Sequence, residues 1–269
     1  MITLSDLKLR NGDWTTIESK LCSLGMTLWN QNPHSQLSAR IFELVTSYYN
    51  QWRFVLDSYE VLYKLFSEQM SRDTIPDREI YLSEFDINLV ANESKFRQYS
   101  YIFIISLKSL IDLFACIVDV IQNQQIRDDG SLPDYKYPPR RKGFVVNDIP
   151  EISMLFTQLQ DPDIYPWIGS IASIRNKIVH RGFSLRPIIG FERTESLVIQ
   201  TYRGTDFYTD IDKIDIGETL KMAVSNIPEL ENKVTQILLT EMSQIIPSLA
   251  HQSSYRYSEL MNEYNTKEI

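Results

Sequence analysis

Apolar residues recur at alternating steps of four and three between residues 36 and 71, and this spacing constrains the fold most strongly. The positions are Ile41, Val45, Tyr48, Trp52, Val55, Tyr59, Leu62 and Phe66. A helix brings residues at this spacing onto one face, so the segment predicts a long amphipathic helix. Its apolar stripe must be covered by another helix, which favours a helical bundle.

A second long helix is predicted over residues 84–125, and its centre, 101–121, is strongly apolar. Such a segment is also long enough to cross a membrane. However, Lys108, Asp112 and Asp119 interrupt it, and a charge at the centre of a bilayer costs about 3 kcal/mol. Lys108 and Asp112 are four residues apart and can pair on one helix face. We therefore predict the central helix of a soluble bundle and no membrane partner.

The C-terminal half of the chain predicts shorter elements. Helical spacing covers residues 149–160, 164–183 and 215–250, β-rich runs predict a hairpin over 186–203, and loops are predicted at 126–148 and 204–215. Pro228 predicts a kink in the last helix or the start of a new helical segment. The predicted fold class is mostly α: an antiparallel helical bundle with a small β-hairpin insertion before the last long helix.

The length of the chain, 269 residues, allows one large domain with a sizeable core. Residues 1–35 show no sustained period and are assigned to an N-terminal extension. Residues 36–250 form the predicted helical domain. Residues 251–269 are a polar tail that contains tyrosines.

The formal net charge of −8 restricts the partners of the chain, because an acidic protein repels nucleic acid at long range. Any RNA-binding role therefore needs a local basic patch. The densest basic run is Arg140, Arg141 and Lys142, which follows Tyr135 and Tyr137. Basic groups beside aromatic rings suit single-stranded nucleic acid. The alternative is a solvated loop that its Pro-Pro pair stiffens.

Cofactor and targeting signals are absent from the sequence. The two cysteines are too few for a disulfide framework, and no pair of histidines or cysteines has the spacing of metal ligands. No glycine-rich phosphate loop is present. The N-terminal residues lack a basic region followed by an apolar core. We therefore predict no metal, no cofactor, no signal peptide and a cytoplasmic location.

Arg175, Asn176 and His180 form the one cluster of chemically useful side chains, on the helix predicted over 164–183. Arg175 and His180 are five residues apart, which is about 140° of rotation on a helix, so they do not share a face. Asn176 and His180 do share one. Two arrangements would bring Arg175 to His180. In the first, the long arginine side chain would wrap round the helix. In the second, two copies of the helix would pair across a two-fold axis.

These residue types suit phosphodiester cleavage without a metal. Histidine exchanges protons near neutral pH and can act as general acid or base, while an arginine binds phosphate and neutralises charge in the transition state. Asn176 can orient the imidazole or contact the sugar, and Lys177 and Arg181 add local positive charge. The alternative is structural: Arg175 pairs with a carboxylate and His180 stabilises the C-terminal end of the helix.

The hexapeptide from Arg175 to His180 resembles the Arg-x4-His motif of HEPN domains, including the polar residue directly after the arginine. The resemblance covers roughly residues 36–250, although only the motif is specific. It implies an all-α, dimeric, metal-independent endoribonuclease that leaves a 2′,3′-cyclic phosphate, with Arg175, Asn176 and His180 at the site. It also implies a toxin or defence role and an antitoxin-like partner protein. Some HEPN domains instead bind nucleotides or partners without cleaving RNA, which is the alternative function.

Overall fold

The computed structural model describes residues 19–31, 36–72, 82–123, 149–159, 161–181, 184–188, 197–202 and 212–241. The helices are α1 (Lys20–Gln31), α2 (Gln36–Arg72), α3 (Leu82–Asn123), α4 (Pro150–Gln158), α5 (Pro166–Arg181) and α6 (Ile216–Glu241). The strands are β1 (Ser184–Ile188), β2 (Val198–Tyr202) and β3 (Lys213–Asp215). The predicted mostly α fold class with a small β-insertion before the last long helix is confirmed.

Helices α2 and α3 make the most extensive helix–helix contact of the described fold. All eight residues of the predicted stripe on α2 are buried, and α3 supplies apolar side chains that are equally inaccessible. The rings of Tyr59 on α2 and Phe103 on α3 lie 6.4 Å apart between centroids. The spacing of apolar residues therefore predicted both the helix and its buried face.

The apolar centre of α3 belongs to the protein core. The segment Ser94–Gln122 is long and apolar enough to span a membrane, but 67% of its most apolar window is buried inside the protein. The predicted ion pair between Lys108 and Asp112 is present. High hydrophobicity in this helix is thus explained by contact with its neighbours in the bundle.

Helix α1 lies in the stretch to which the sequence assigned no element. Leu21, Cys22 and Met26 are fully buried, and α1 packs against α2, α3 and α6. The helix has only 12 residues, and a helix this short is marginal in isolation. Its conformation depends on tertiary packing, which a short periodic signal does not reveal.

Two helical glycines differ in the space around them, so their replacement by alanine is expected to have different effects on stability. A Cβ added to Gly25 of α1 would lie 2.9 Å from Ile41 Cγ2 and 3.3 Å from Val45 Cγ2, whereas one added to Gly169 of α5 would meet nothing within 4 Å. Both changes to alanine gain about 1 kcal/mol of helix propensity. Gly169→Ala is therefore expected to raise the free energy of unfolding by that amount.

The gain in Gly25→Ala is offset by overpacking of about 1–3 kcal/mol. We expect Gly25→Ala to be neutral or destabilising by up to about 2 kcal/mol. Urea unfolding of the two variants beside the parent chain measures both values. A stabilisation of similar size in both variants would show that α1 does not sit tightly on α2.

The three strands form one antiparallel sheet in the order β1-β2-β3. Ser184 pairs with Tyr202 and Ile188 with Val198, so β1 and β2 form the predicted hairpin. Strand β3, however, was predicted to lie in a loop. It has three residues and pairs with β2 through Ile199 and Ile214, a tertiary contact that local sequence does not signal.

Helix α6 completes the bundle. The backbone N–H of Glu218 donates to Asp215 Oδ1 at 3.0 Å, which caps the first turn of α6. The helix continues through Pro228 to Glu241, so Pro228 does not begin a separate segment. The predicted loop 126–148, the end of the predicted last helix at 242–250 and the tail 251–269 lie outside the described residues.

Candidate functional site

The orientation of α5 is fixed by its apolar face. Trp167, Ile168, Ile171 and Ile174 are buried, and the Trp167 indole N–H donates to Asn226 Oδ1 on α6 at 3.0 Å. Burial of this face directs part of the opposite face outward. Asn176, Val179, His180 and Arg181 are exposed at the C-terminal end of the helix.

Arg175, Asn176 and His180 lie together on the exposed side of α5. Arg175 Nη1 is 3.1 Å from Asn176 Oδ1 and 3.1 Å from His180 Nε2. Because a guanidinium only donates hydrogen bonds, Nε2 is the acceptor, and therefore the unprotonated ring nitrogen, in this contact. The first of the two predicted arrangements is thus present within one protomer: the arginine side chain reaches round the helix to the histidine.

The described partners of Arg175 are the amide oxygen of Asn176 and an imidazole nitrogen of His180. Among the residues that the structure describes, no carboxylate pairs with Arg175, so the structural alternative of an ion pair finds no support there. His180 and Arg181 lie in the last turn of α5, where positive charge is favourable. A guanidinium that no described carboxylate contacts keeps its charge available for an anionic ligand.

Lys177 does not join this cluster. Its side chain is 8% exposed and its Nζ lies 3.1 Å from Asp212 Oδ2. Ser173, one turn earlier on the same face of α5, donates from Oγ to the same carboxylate oxygen at 2.7 Å. Lys177 was predicted as an RNA-binding residue, but in the described fold it is buried in an ion pair between α5 and the sheet.

Asp212 joins α5 to the sheet. Its backbone N–H donates to Thr201 Oγ1 at 3.1 Å, and the Thr201 N–H donates to the Asp212 carbonyl at 3.0 Å. Asp212 and Ser173 could not be identified from the sequence as partners of Lys177, because Asp212 lies 35 positions after Lys177 in the chain. These contacts hold one side of α5 against β2 and β3.

We expect Asp212→Asn to destabilise the fold by about 2–3 kcal/mol, because it removes the carboxylate that lies 3.1 Å from the buried Lys177 ammonium. Asp57→Asn is the matched control, since the Asp57–Arg53 pair is roughly half exposed on both sides. Such a surface pair contributes about 0–1 kcal/mol. Urea unfolding of both variants compares the two effects. Equal small losses would mean that the Lys177–Asp212 pair does not hold α5.

The described fold contains a small apolar cavity far too small for a nucleotide. Its volume is about 20 Å³, room for about one water molecule. It is lined by Ile111, Phe114, Leu159, Tyr165, Trp167, Ile168, Asn226, Ile227 and Leu230. The exposed end of α5 is therefore a better candidate for a binding site than this cavity.

The other predicted site residues divide into two groups. Arg181 is exposed beside His180, whereas Arg140, Arg141 and Lys142 lie outside the described residues. Within the described ranges, no group of three or more His, Cys, Asp or Glu side chains could hold a metal ion. The chain matches no protein-family model, no curated protein and no solved structure.

Proposed function

We propose that the protein is a HEPN-like, metal-independent endoribonuclease of toxin or defence type that acts in the cytoplasm. The observation that carries the proposal is the pairing of Arg175 with His180 on an exposed helix end, without a carboxylate partner among the described residues. A phosphate-binding cation and a proton-exchanging ring at hydrogen-bond distance are the two groups that this chemistry needs.

The reaction has a simple balance of bonds and protons. The 2′-hydroxyl gives its proton to a base, its oxygen attacks the adjacent phosphorus, and the bond from phosphorus to the 5′-oxygen breaks. The leaving 5′-oxygen takes a proton from an acid, and a 2′,3′-cyclic phosphate remains. Arg175 binds the phosphate and neutralises the charge that builds on its oxygens. Asn176 holds the guanidinium through its Oδ1.

Base and acid must act at two places on the same phosphodiester. His180 is the only histidine in the described part of the chain. A homodimer that joins two α5 ends across a two-fold axis would supply a second His180 and a second Arg175. We therefore include homodimerisation in the proposal, with one histidine as base and the other as acid.

RNA binding must overcome the acidic net charge of −8. Arg181 lies on the same exposed end of α5 as His180, and Arg140, Arg141 and Lys142 are proposed as further phosphate contacts. An antitoxin-like protein that covers this end of α5 is the proposed neutralising partner. No membrane association is proposed.

A non-catalytic nucleotide-binding or interaction module is the second candidate, and one observation favours it. The Nε2 atom of His180 already accepts a hydrogen bond from Arg175, so in the free protomer this nitrogen is not open to a substrate hydroxyl. A phosphate that draws the Arg175 guanidinium away would free Nε2 of His180 for proton transfer. A module that binds only anions would use the same contact without proton transfer.

Incubation of purified protein with mixed-sequence single-stranded RNA in excess EDTA tests the proposal. We expect cleavage that EDTA does not affect, with products that end in a 2′,3′-cyclic phosphate. Binding of the RNA without cleavage would support the second candidate. If the protein neither bound nor cleaved the RNA, the ribonuclease proposal and the nucleotide-binding form of the second candidate would both be refuted.

A further inference from the structure

Glu231 of α6 is a carboxyl group buried between three helices. It is 3% exposed, and its Oε1 accepts a hydrogen bond from the Tyr48 hydroxyl of α2. Ser19, directly before α1, supplies a second hydrogen bond. Among the described residues no lysine or arginine pairs with Glu231. Burial of an ionised carboxylate without a cation costs several kcal/mol, so this site favours the protonated acid.

Within the described ranges, the groups around Glu231 offer no compensating charge. The ionisable side chains that face it are Cys22 from α1 and Tyr48 from α2, and both are neutral or negative. Burial raises the pKa of Glu231 to about 7, and the hydrogen bonds from Ser19 and Tyr48 only partly oppose this effect.

The carboxyl group is tied to the start of α1. The Ser19 Oγ accepts a hydrogen bond from the Cys22 backbone N–H at 3.1 Å, which is the N-cap of α1. The same hydroxyl contacts Glu231. Side chains of α1 also cover part of the α2 stripe, where Gly25 lies against Ile41 and Val45. The protonation state of Glu231 therefore acts directly on the contact between α1 and the rest of the bundle.

We propose that Glu231 is a proton-dependent latch for α1: the protonated carboxyl group keeps α1 docked, and loss of its proton loosens α1 before the rest of the fold opens. Opening of α1 exposes Glu231 to water, where the ionised form is stable. It also uncovers the apolar side chains of α2 beneath α1. The latch does not depend on the function proposed for Arg175 and His180, because it lies on α1, α2 and α6.

The direction of the effect follows from the raised pKa. An exposed glutamate has a pKa of 4.5, whereas that of the buried Glu231 is about 7. The docked state therefore binds its proton more tightly than the open state. Docking is strongest below pH 4.5 and weakens as the pH rises to about 7, after which it no longer changes.

Hydrogen exchange of the full chain, read at the amides of residues 20–31 and corrected for the intrinsic effect of pH, tests the latch. In the parent chain we expect protection of α1 to be lower than that of the α3 core. We also expect it to fall by roughly 100-fold between about pH 5 and about pH 8. Glu231→Gln keeps an oxygen acceptor without the titration, so its α1 protection should stay constant. Glu229→Gln, on the exposed side of α6, should behave like the parent chain.

Tyr48→Phe provides a second variant if Glu231→Gln fails to fold. It removes a hydrogen bond that favours the ionised carboxylate and so raises the pKa of docked Glu231 further. The loss of α1 protection should therefore begin at the same pH as in the parent chain, but continue to higher pH and become larger. Three results would each overturn the latch. The first is constant protection of α1 in the parent chain, and the second is an equal fall in Glu231→Gln. The third is protection of α1 that equals that of the α3 core at every pH.

Discussion

Replacement of His180 by alanine is expected to lower the rate of RNA cleavage by at least roughly 10²–10⁴-fold, the range for loss of one general acid or base, because the variant dimer lacks both groups. The side chain is exposed, so the free energy of unfolding should hardly change. Arg175→Ala should lower the rate by roughly 10²–10³-fold, because it removes a group that stabilises transition-state charge. Arg175→Lys should give a smaller loss, because lysine keeps the charge but not the planar fork.

Arg53→Ala is the matched control for Arg175→Ala. Arg53 is also a helical arginine, on α2, with about half of its side chain exposed. We expect this variant to cleave at the rate of the parent chain. Single-turnover rates with saturating enzyme measure the chemical step for each protein. A rate for His180→Ala within a few-fold of the parent rate would show that His180 takes no part in proton transfer.

The free energy of unfolding is expected to fall by about 3 kcal/mol as the pH rises from about 4.5 to about 7, because the folded state holds the proton of Glu231 more tightly than the unfolded chain does. The direction is opposite to that of an ordinary salt-bridged carboxylate, whose contribution to stability is lost in acid. Urea unfolding at a series of pH values measures the slope.

Glu231→Gln isolates the contribution of this one group. The amide does not titrate, so the fall of about 3 kcal/mol should disappear, and the variant should be more stable than the parent chain at about pH 8. Glu229→Gln should keep the slope of the parent chain, because Glu229 is exposed and pairs with Lys233. An unchanged slope in Glu231→Gln would mean that other groups cause the pH dependence.

The two long helices of the core could be predicted from sequence because their signal is local and long. The stripe from Ile41 to Phe66 spans seven helical turns, and the structure buries every member. The ends of α4 and α5 were predicted to within a few residues, because local signals mark them: Asp161-Pro162-Asp163 lies between the two helices and Gly182 follows α5. Helix α1 and strand β3 were missed because each is short and is stabilised by contacts with distant segments.

In the candidate site, too, features with a local signal were predicted and those that depend on distant residues were not. The sequence placed Arg175, Asn176 and His180 on one helix, and rotation of about 140° left open whether they meet. In the structure the arginine side chain is long enough to reach His180 of the same chain. The burial of Lys177 could not be predicted, because its counter-charge Asp212 comes from a distant part of the sequence.

The central claim is that the Arg175–His180 pair cleaves RNA by attack of a 2′-hydroxyl. The most direct measurement compares two oligonucleotides of the same sequence in EDTA: a single-stranded RNA, and the same strand with 2′-deoxynucleotides throughout. The proposed function predicts that only the first is cut, that its product carries a 2′,3′-cyclic phosphate, and that His180→Ala leaves both intact. Equal cleavage of both strands, or cleavage of neither, would contradict it.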